Sequence, residues 1–184
     1  MSQKSMTEVA QPANSVRLAK EAVESLPPRQ YLTFRLGEER FAVAIQPIRE
    51  IIEFPGVTAI PLTPEFLAGV INLRGAVVPV IDLSVRFGRA QTQIGRRTCI
   101  VIVEVQAEDA MQPLGVIVDA VDEVVEVIDA QIESRLSFGS GIRVDFVASI
   151  LRLEGGFVIA LDLDKVLSSE ELEQMISEVN SVLP

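Results

Sequence analysis

Few residues in this sequence could do chemistry. Arg74 stands in Asn72-Leu73-Arg74-Gly75, between two apolar β-type runs. Glu50 and Glu123 could form a carboxylate pair for acid–base work, and Asp82 and Asp162 could accept a phosphoryl group. Gly139-Ser140-Gly141 could touch a phosphate, but it is short and no lysine follows it. The chain contains no histidine, which excludes Ser-His-Asp and Cys-His catalysis, a histidine metal site and phosphotransfer from histidine. Helix capping explains both aspartates, because each follows an apolar run directly and opens a short helical stretch. Nothing around the two glutamates suggests a substrate pocket, so they read as solvated turns. No catalytic residue, metal ligand or cofactor is therefore expected. Arg74 remains: Asn72 and Gly75 favour a turn, which lifts the arginine off a hairpin into solvent. It is either a solvated turn charge or a binding residue.

The elements that hold these residues read mainly as strands. Tyr31–Leu36 alternates, Gly37-Glu38-Glu39 turns, and Phe41–Ile45 returns. Gln46–Ile52 reads as a short helical turn with Ile48, Ile51 and Ile52 apolar. Pro61 and Pro64 punctuate an extended crossing to the hairpin Gly69–Leu73 and Ala76–Ile81. Pro79 predicts an edge strand or a bulge there. Asp82 caps a helix through Phe87 that Gly88 ends. Thr98–Val105 is an apolar strand with Cys99 as a small core residue, Gln106–Gln112 an acidic turn, and Leu114–Val118 another strand. Val121, Val124 and Val125 read as core, and Leu136–Asp145 as a flexible loop with Gly139 and Gly141. Val147–Leu153 and Phe157–Leu161 form a last hairpin, and Ser168 or Ser169 caps a terminal helix over 169–184. Residues 1–29 form an N-terminal extension, either a tail or a marginal helix with Val16, Ala19, Val23 and Leu26 at helical spacing.

Apolar residues make up 48% of the 184, with valine and isoleucine prominent, which favours strands. The net charge of −10 argues against nucleic acid and against self-association, so a monomer is expected. No apolar run reaches the roughly 20 residues of a membrane span, and there is no signal-peptide core. With a single cysteine and no sorting signal, the expected compartment is the cytoplasm.

The chain also repeats itself. Phe41–Ile52 resembles Leu114–Val125, Leu73-Arg74-Gly75 is echoed by Leu153-Glu154-Gly155, and Ile81-Asp82-Leu83 by Leu161-Asp162-Leu163. The expected class is all-β with short helices: an internal duplication of two small units, closed or half-closed barrels sharing a core. Gly75 and Gly155 both follow a hairpin-tip charge, where a positive φ is expected. Arg74 faces Glu154 across the repeat. A residue that differs where the scaffold matches is a better candidate for binding than for folding.

From Tyr31 to about Met175 the sequence resembles the CheW-type chemotaxis coupling proteins. The marks are Ile48-Arg49-Glu50-Ile51, Pro61 and Pro64 before Gly69, Asn72-Leu73-Arg74-Gly75, Pro79-Val80-Ile81-Asp82-Leu83 with Phe87-Gly88, and Gly115-Val116-Ile117-Val118-Asp119. The resemblance implies one domain over 30–168, built of two five-stranded SH3-like or OB-like barrels (about 30–90 and 97–168, possibly with exchanged strands). It implies a non-enzymatic adaptor, recruited from the cytoplasm to membrane-associated arrays without inserting into the membrane. Its partners would be the tips of methyl-accepting chemoreceptors and the regulatory domain of a CheA-type histidine kinase. It also implies that Arg74 and Glu50 pair on a partner-binding surface that includes Asn72 and Ile48. The chain departs from the family in its N-terminal extension, its long acidic turn, and the lack of a proline after Ile132. The alternatives are a small-molecule-sensing barrel, or a coupling protein of a twitching or other non-flagellar pathway.

Overall fold

A computed structural model describes residues 15–17, 27–107, 109–134 and 143–183. Most of the expected N-terminal helix and the Gly139–Gly141 loop lie outside the described residues. The chain runs through β1 (Arg29–Leu36), β2 (Glu39–Ala44), β3 (Ile48–Glu53), β4 (Leu67–Leu73) and β5 (Ala76–Asp82). After α1 (Leu83–Arg86) come β6 (Cys99–Ala107), β7 (Ala110–Val118), β8 (Ala120–Val127) and β9 (Ile132–Glu133). The chain then forms β10 (Val147–Leu153), β11 (Gly156–Leu161), α2 (Leu163–Val166) and α3 (Ser169–Val182).

Two sheets result, both open: β8-β1-β2-β11-β10-β9, and β3-β6-β7-β5-β4. The all-β class and the duplication hold, but the strand ladders do not close. The first sheet has a sixth strand, the short β9. Each sheet takes strands from both sequence halves. β2 pairs in parallel with β11 through Phe41↔Ile159, and β5 pairs in parallel with β7 through Val80↔Gly115.

One large core cluster spans both sheets and reaches Met175 and Val179 of α3. An aromatic row crosses it, from Phe34 to Phe41 to Phe87 to Phe146, with ring centroids 6.0, 5.7 and 5.8 Å apart. Such spacings suit offset and tilted ring pairs. A smaller cluster around Ile71, Val80, Ile100 and Ile117 lies on one face of the second sheet. There Gly115 leaves room that a side chain would take, since an added Cβ would lie 2.8 Å from Ile100.

Both predicted aspartate caps form. Asp82 accepts from the Ser84 N–H at 3.0 Å, and Asp162 from the Asp164 N–H at 3.1 Å. Ser168 caps α3 in a reciprocal pair with Glu171.

Five expectations need correction in whole or in part. Gln46–Ile52 does not form a helical turn; from Ile48 it is strand β3, paired with β6. Pro79 is not on an edge strand, although the β4–β5 register does shift beside it, between Leu67 and Gly69; the β7 ladder covers only Val80–Asp82, so its missing N–H leaves no gap there. Most of Gln106–Gln112 is ladder rather than turn, because β6 and β7 stay paired out to Ala107↔Ala110. Val124 is 47% exposed, since β8 is an end strand with no neighbour to cover its outer side. Cys99 is only half-buried, because it opens β6 at the sheet's margin.

Candidate partner-binding surface

The β4–β5 hairpin closes with Leu73 opposite Ala76, which leaves Arg74 and Gly75 as a two-residue tip. Their φ values are +51° and +86°. Positive φ at both central residues is the signature of a type I′ connection, whose twist matches the flanking strands. Asn72 locks the turn: its Oδ1 accepts the Gly75 N–H at 2.9 Å. Gly155 of the β10–β11 hairpin has a similar φ of +92°, but Glu154 before it does not share the positive φ of Arg74, so the two tips differ in turn type. An added Cβ at either glycine meets nothing within 4 Å, so the requirement is conformational rather than one of space. Arg74 itself bears a left-handed backbone that a glycine or asparagine would hold more easily.

The Arg74 side chain is 77% exposed and reaches Glu50 on β3. Nη1 donates to Oε1 and Nη2 to Oε2, both at 2.8 Å, a fork-on-fork pair. The hydrogen bond to Glu50, and then its charge, raise the Arg74 pKa further. Glu50 is more buried than its partner, at 26% exposure. It shares a face of β3 with Ile52, opposite Ile102 and Ile100, while a register shift between Ile48 and Glu50 sets Ile48 opposite Val103. β3 and β4 are the two ends of the five-stranded sheet, so this pair straps its open ends together. Ile48 is half-buried and packs against the large core, away from the hairpin tip.

The other candidates are engaged elsewhere. Glu123 pairs with Arg40 at 3.0 Å on the first sheet, and so does not join Glu50. Asp82 is 2% exposed and also accepts from the Thr92 N–H and hydroxyl, both at 2.8 Å. Those bonds engage both oxygens of a buried carboxylate, as a structural cap does. No group of three or more metal-ligating side chains occurs among the described residues. Nor is any described helix long and apolar enough to cross a membrane.

Sequence reasoning missed Arg86. Only 11% exposed, its guanidinium lies 4.8 Å from the Phe66 ring centroid and 5.2 Å from that of Phe146. Nε donates to the Val166 carbonyl at 2.6 Å, and Nη2 donates to Glu171 at 2.7 Å. The side chain joins α1 to α2 and α3, and nothing in its local sequence announces that. Also unforeseen is an open groove of about 610 Å³. It is lined by Ala44, Pro47, Met111, Leu161 and Leu163, with the carboxylates of Glu104 and Asp164.

A family model described as the CheW-like domain matches residues 30–171. The chain is 34% identical over 145 residues to "Chemotaxis protein CheW" of Rhizobium meliloti (strain 1021), covering 79% of this chain and 91% of that protein. It is 31% identical over 144 residues to "Chemotaxis protein CheW" of Klebsiella aerogenes, covering 78% of this chain and 84% of that protein. The crystal structure of the scaffolding protein TtCheW from Thermoanaerobacter tengcongensis is similar with a TM-score of 0.67 at 36% identity, over 74% of this chain and 85% of that one.

Proposed function

Since this chain belongs to the CheW-like domain family, we propose that it is a chemotaxis scaffold that couples chemoreceptor tips to a CheA-type histidine kinase. It binds without turning anything over, and it works in the cytoplasm at membrane-associated receptor arrays. The observation that carries the reading is the Arg74–Glu50 pair. A bidentate ion pair held on a locked hairpin, with the arginine largely in solvent, contributes little to folding. Its geometry suits recognition, because the side chain is already fixed in place before a partner arrives. Asn72 acts through the turn that aims Arg74. Ile48 acts through β3, which carries Glu50.

The acidic groove beside Leu161 and Leu163 supports a second contact face, separate from the hairpin tip. The test is reconstitution. Receptor-bearing membranes should retain the kinase on sedimentation only when this chain is present. Kinase retained equally well without it would refute the coupling role.

A further inference from the structure

Between β3 and β4 the chain passes through Pro55-Gly56-Val57-Thr58-Ala59-Ile60-Pro61-Leu62-Thr63-Pro64, a stretch with no charged residue, bounded by exposed Glu53 and Glu65. Leu62 is 99% exposed, and its φ is +64°. A branched apolar side chain rarely takes that backbone region, and an isolated leucine gains nothing from standing in water. The segment is nevertheless clamped on both sides of it. Thr58 and Val70 exchange two backbone hydrogen bonds of 2.9 Å. Gly69 allows that approach, since a Cβ there would lie 2.3 Å from the Thr58 carbonyl oxygen. Ile60 is anchored in the core at 9% exposure, Thr63 Oγ1 donates to the Ile60 carbonyl at 2.9 Å, and the Leu67 N–H donates to the Pro64 carbonyl at 3.0 Å. Rigid surroundings thus maintain a strained residue whose side chain touches nothing, the pattern expected where strain serves a function.

We infer that Leu62 is a docking knob for an apolar socket, bordered by lysine or arginine, on a protein partner. The flanking carboxylates of Glu53 and Glu65 and the chain's net charge of −10 select a basic rim and disfavour a second copy of this chain. A fixed apolar knob enters such a socket with little ordering cost. The inference rests on the adaptor reading only for its choice of probes.

The test uses Leu62→Asn, which keeps the left-handed backbone and removes the apolar group, alongside Leu62→Met, which keeps the apolar group. Each full-length variant is titrated against the kinase regulatory domain and against a receptor signalling fragment, and its melting temperature is measured. Leu62→Asn should melt no lower than the native chain yet bind one of the two partners about tenfold or more weakly. Leu62→Met should bind within about threefold of native. Glu65→Lys should weaken the same partner. Unchanged affinity of Leu62→Asn for both partners would overturn the proposal while leaving the adaptor reading intact. A native chain that binds neither partner would overturn both. Sedimentation with phosphatidylcholine–phosphatidylglycerol vesicles that is lost in Leu62→Asn would identify a lipid surface instead and overturn the protein socket.

Discussion

At the scale of single residues, the hairpin tip couples backbone and side-chain chemistry. Gly75 and Gly155 were legible, because a glycine after a hairpin-tip charge points to φ above zero. The left-handed backbone of Arg74 was not, since nothing about an arginine signals it, and the equally short Glu154-Gly155 tip does without it. Replacing Gly75 or Gly155 with valine should lower stability by about 1–2 kcal/mol, read as a lower melting temperature, because a β-branched side chain resists that region. Melting unchanged from the native chain for both would contradict the turn geometry. Glu50 was legible as a partner only through the family motif. By itself it looked like a solvated charge, since pairing across two sheet ends leaves no trace in local sequence.

At the scale of elements, β3 is a strand whose sequence has the spacing of a helical turn. Ile48, Ile51 and Ile52 fall at helical spacing, and a register shift after Ile48 breaks the apolar–polar order expected of a strand. Glu50 takes an inward position that an apolar residue would normally fill, while Ile51 takes an outward one. The bond to Arg74 makes the inward carboxylate tolerable. The feature that obscured the strand is thus the candidate site itself. Helix α3, by contrast, was readable from its cap, but its docking was not. Burial alone would push the Glu171 carboxyl up. The Ser168 N–H, the Arg86 charge and further hydrogen bonds from both residues outweigh burial and hold it below its ordinary value of 4.5. A depressed carboxylate stabilises the fold above its unfolded pKa, and that contribution fades as pH falls through the folded value. Melting temperature should therefore fall as the solution is acidified below about pH 4.5, and fall less in Glu171→Gln. An identical acid profile in the variant would show that the Arg86–Glu171 contact does not stabilise α3.

At the scale of the whole molecule, the duplication was visible as matching strings, while the exchange of strands between sheets was not. Parallel pairings such as Phe41↔Ile159 join residues far apart in sequence, and no local pattern encodes them. Because both sheets and the shared core need both halves, fragments 30–90 and 97–168 should each fail to melt cooperatively when expressed alone. A cooperative transition in either would show a self-sufficient half. The intact chain should sediment as a monomer at micromolar concentration, since its charge of −10 opposes self-association. The central claim is that a preformed Arg74–Glu50 pair is a recognition surface of a chemotaxis scaffold. A titration of native, Arg74→Ala, Glu50→Arg and the double charge swap Glu50→Arg with Arg74→Glu against the kinase regulatory domain and the receptor fragment tests it most directly. The account predicts that each single variant binds at least one partner about ten- to a hundredfold more weakly at nearly native melting temperature. The swap should recover part of that loss. Native affinity for both partners in Arg74→Ala would contradict it.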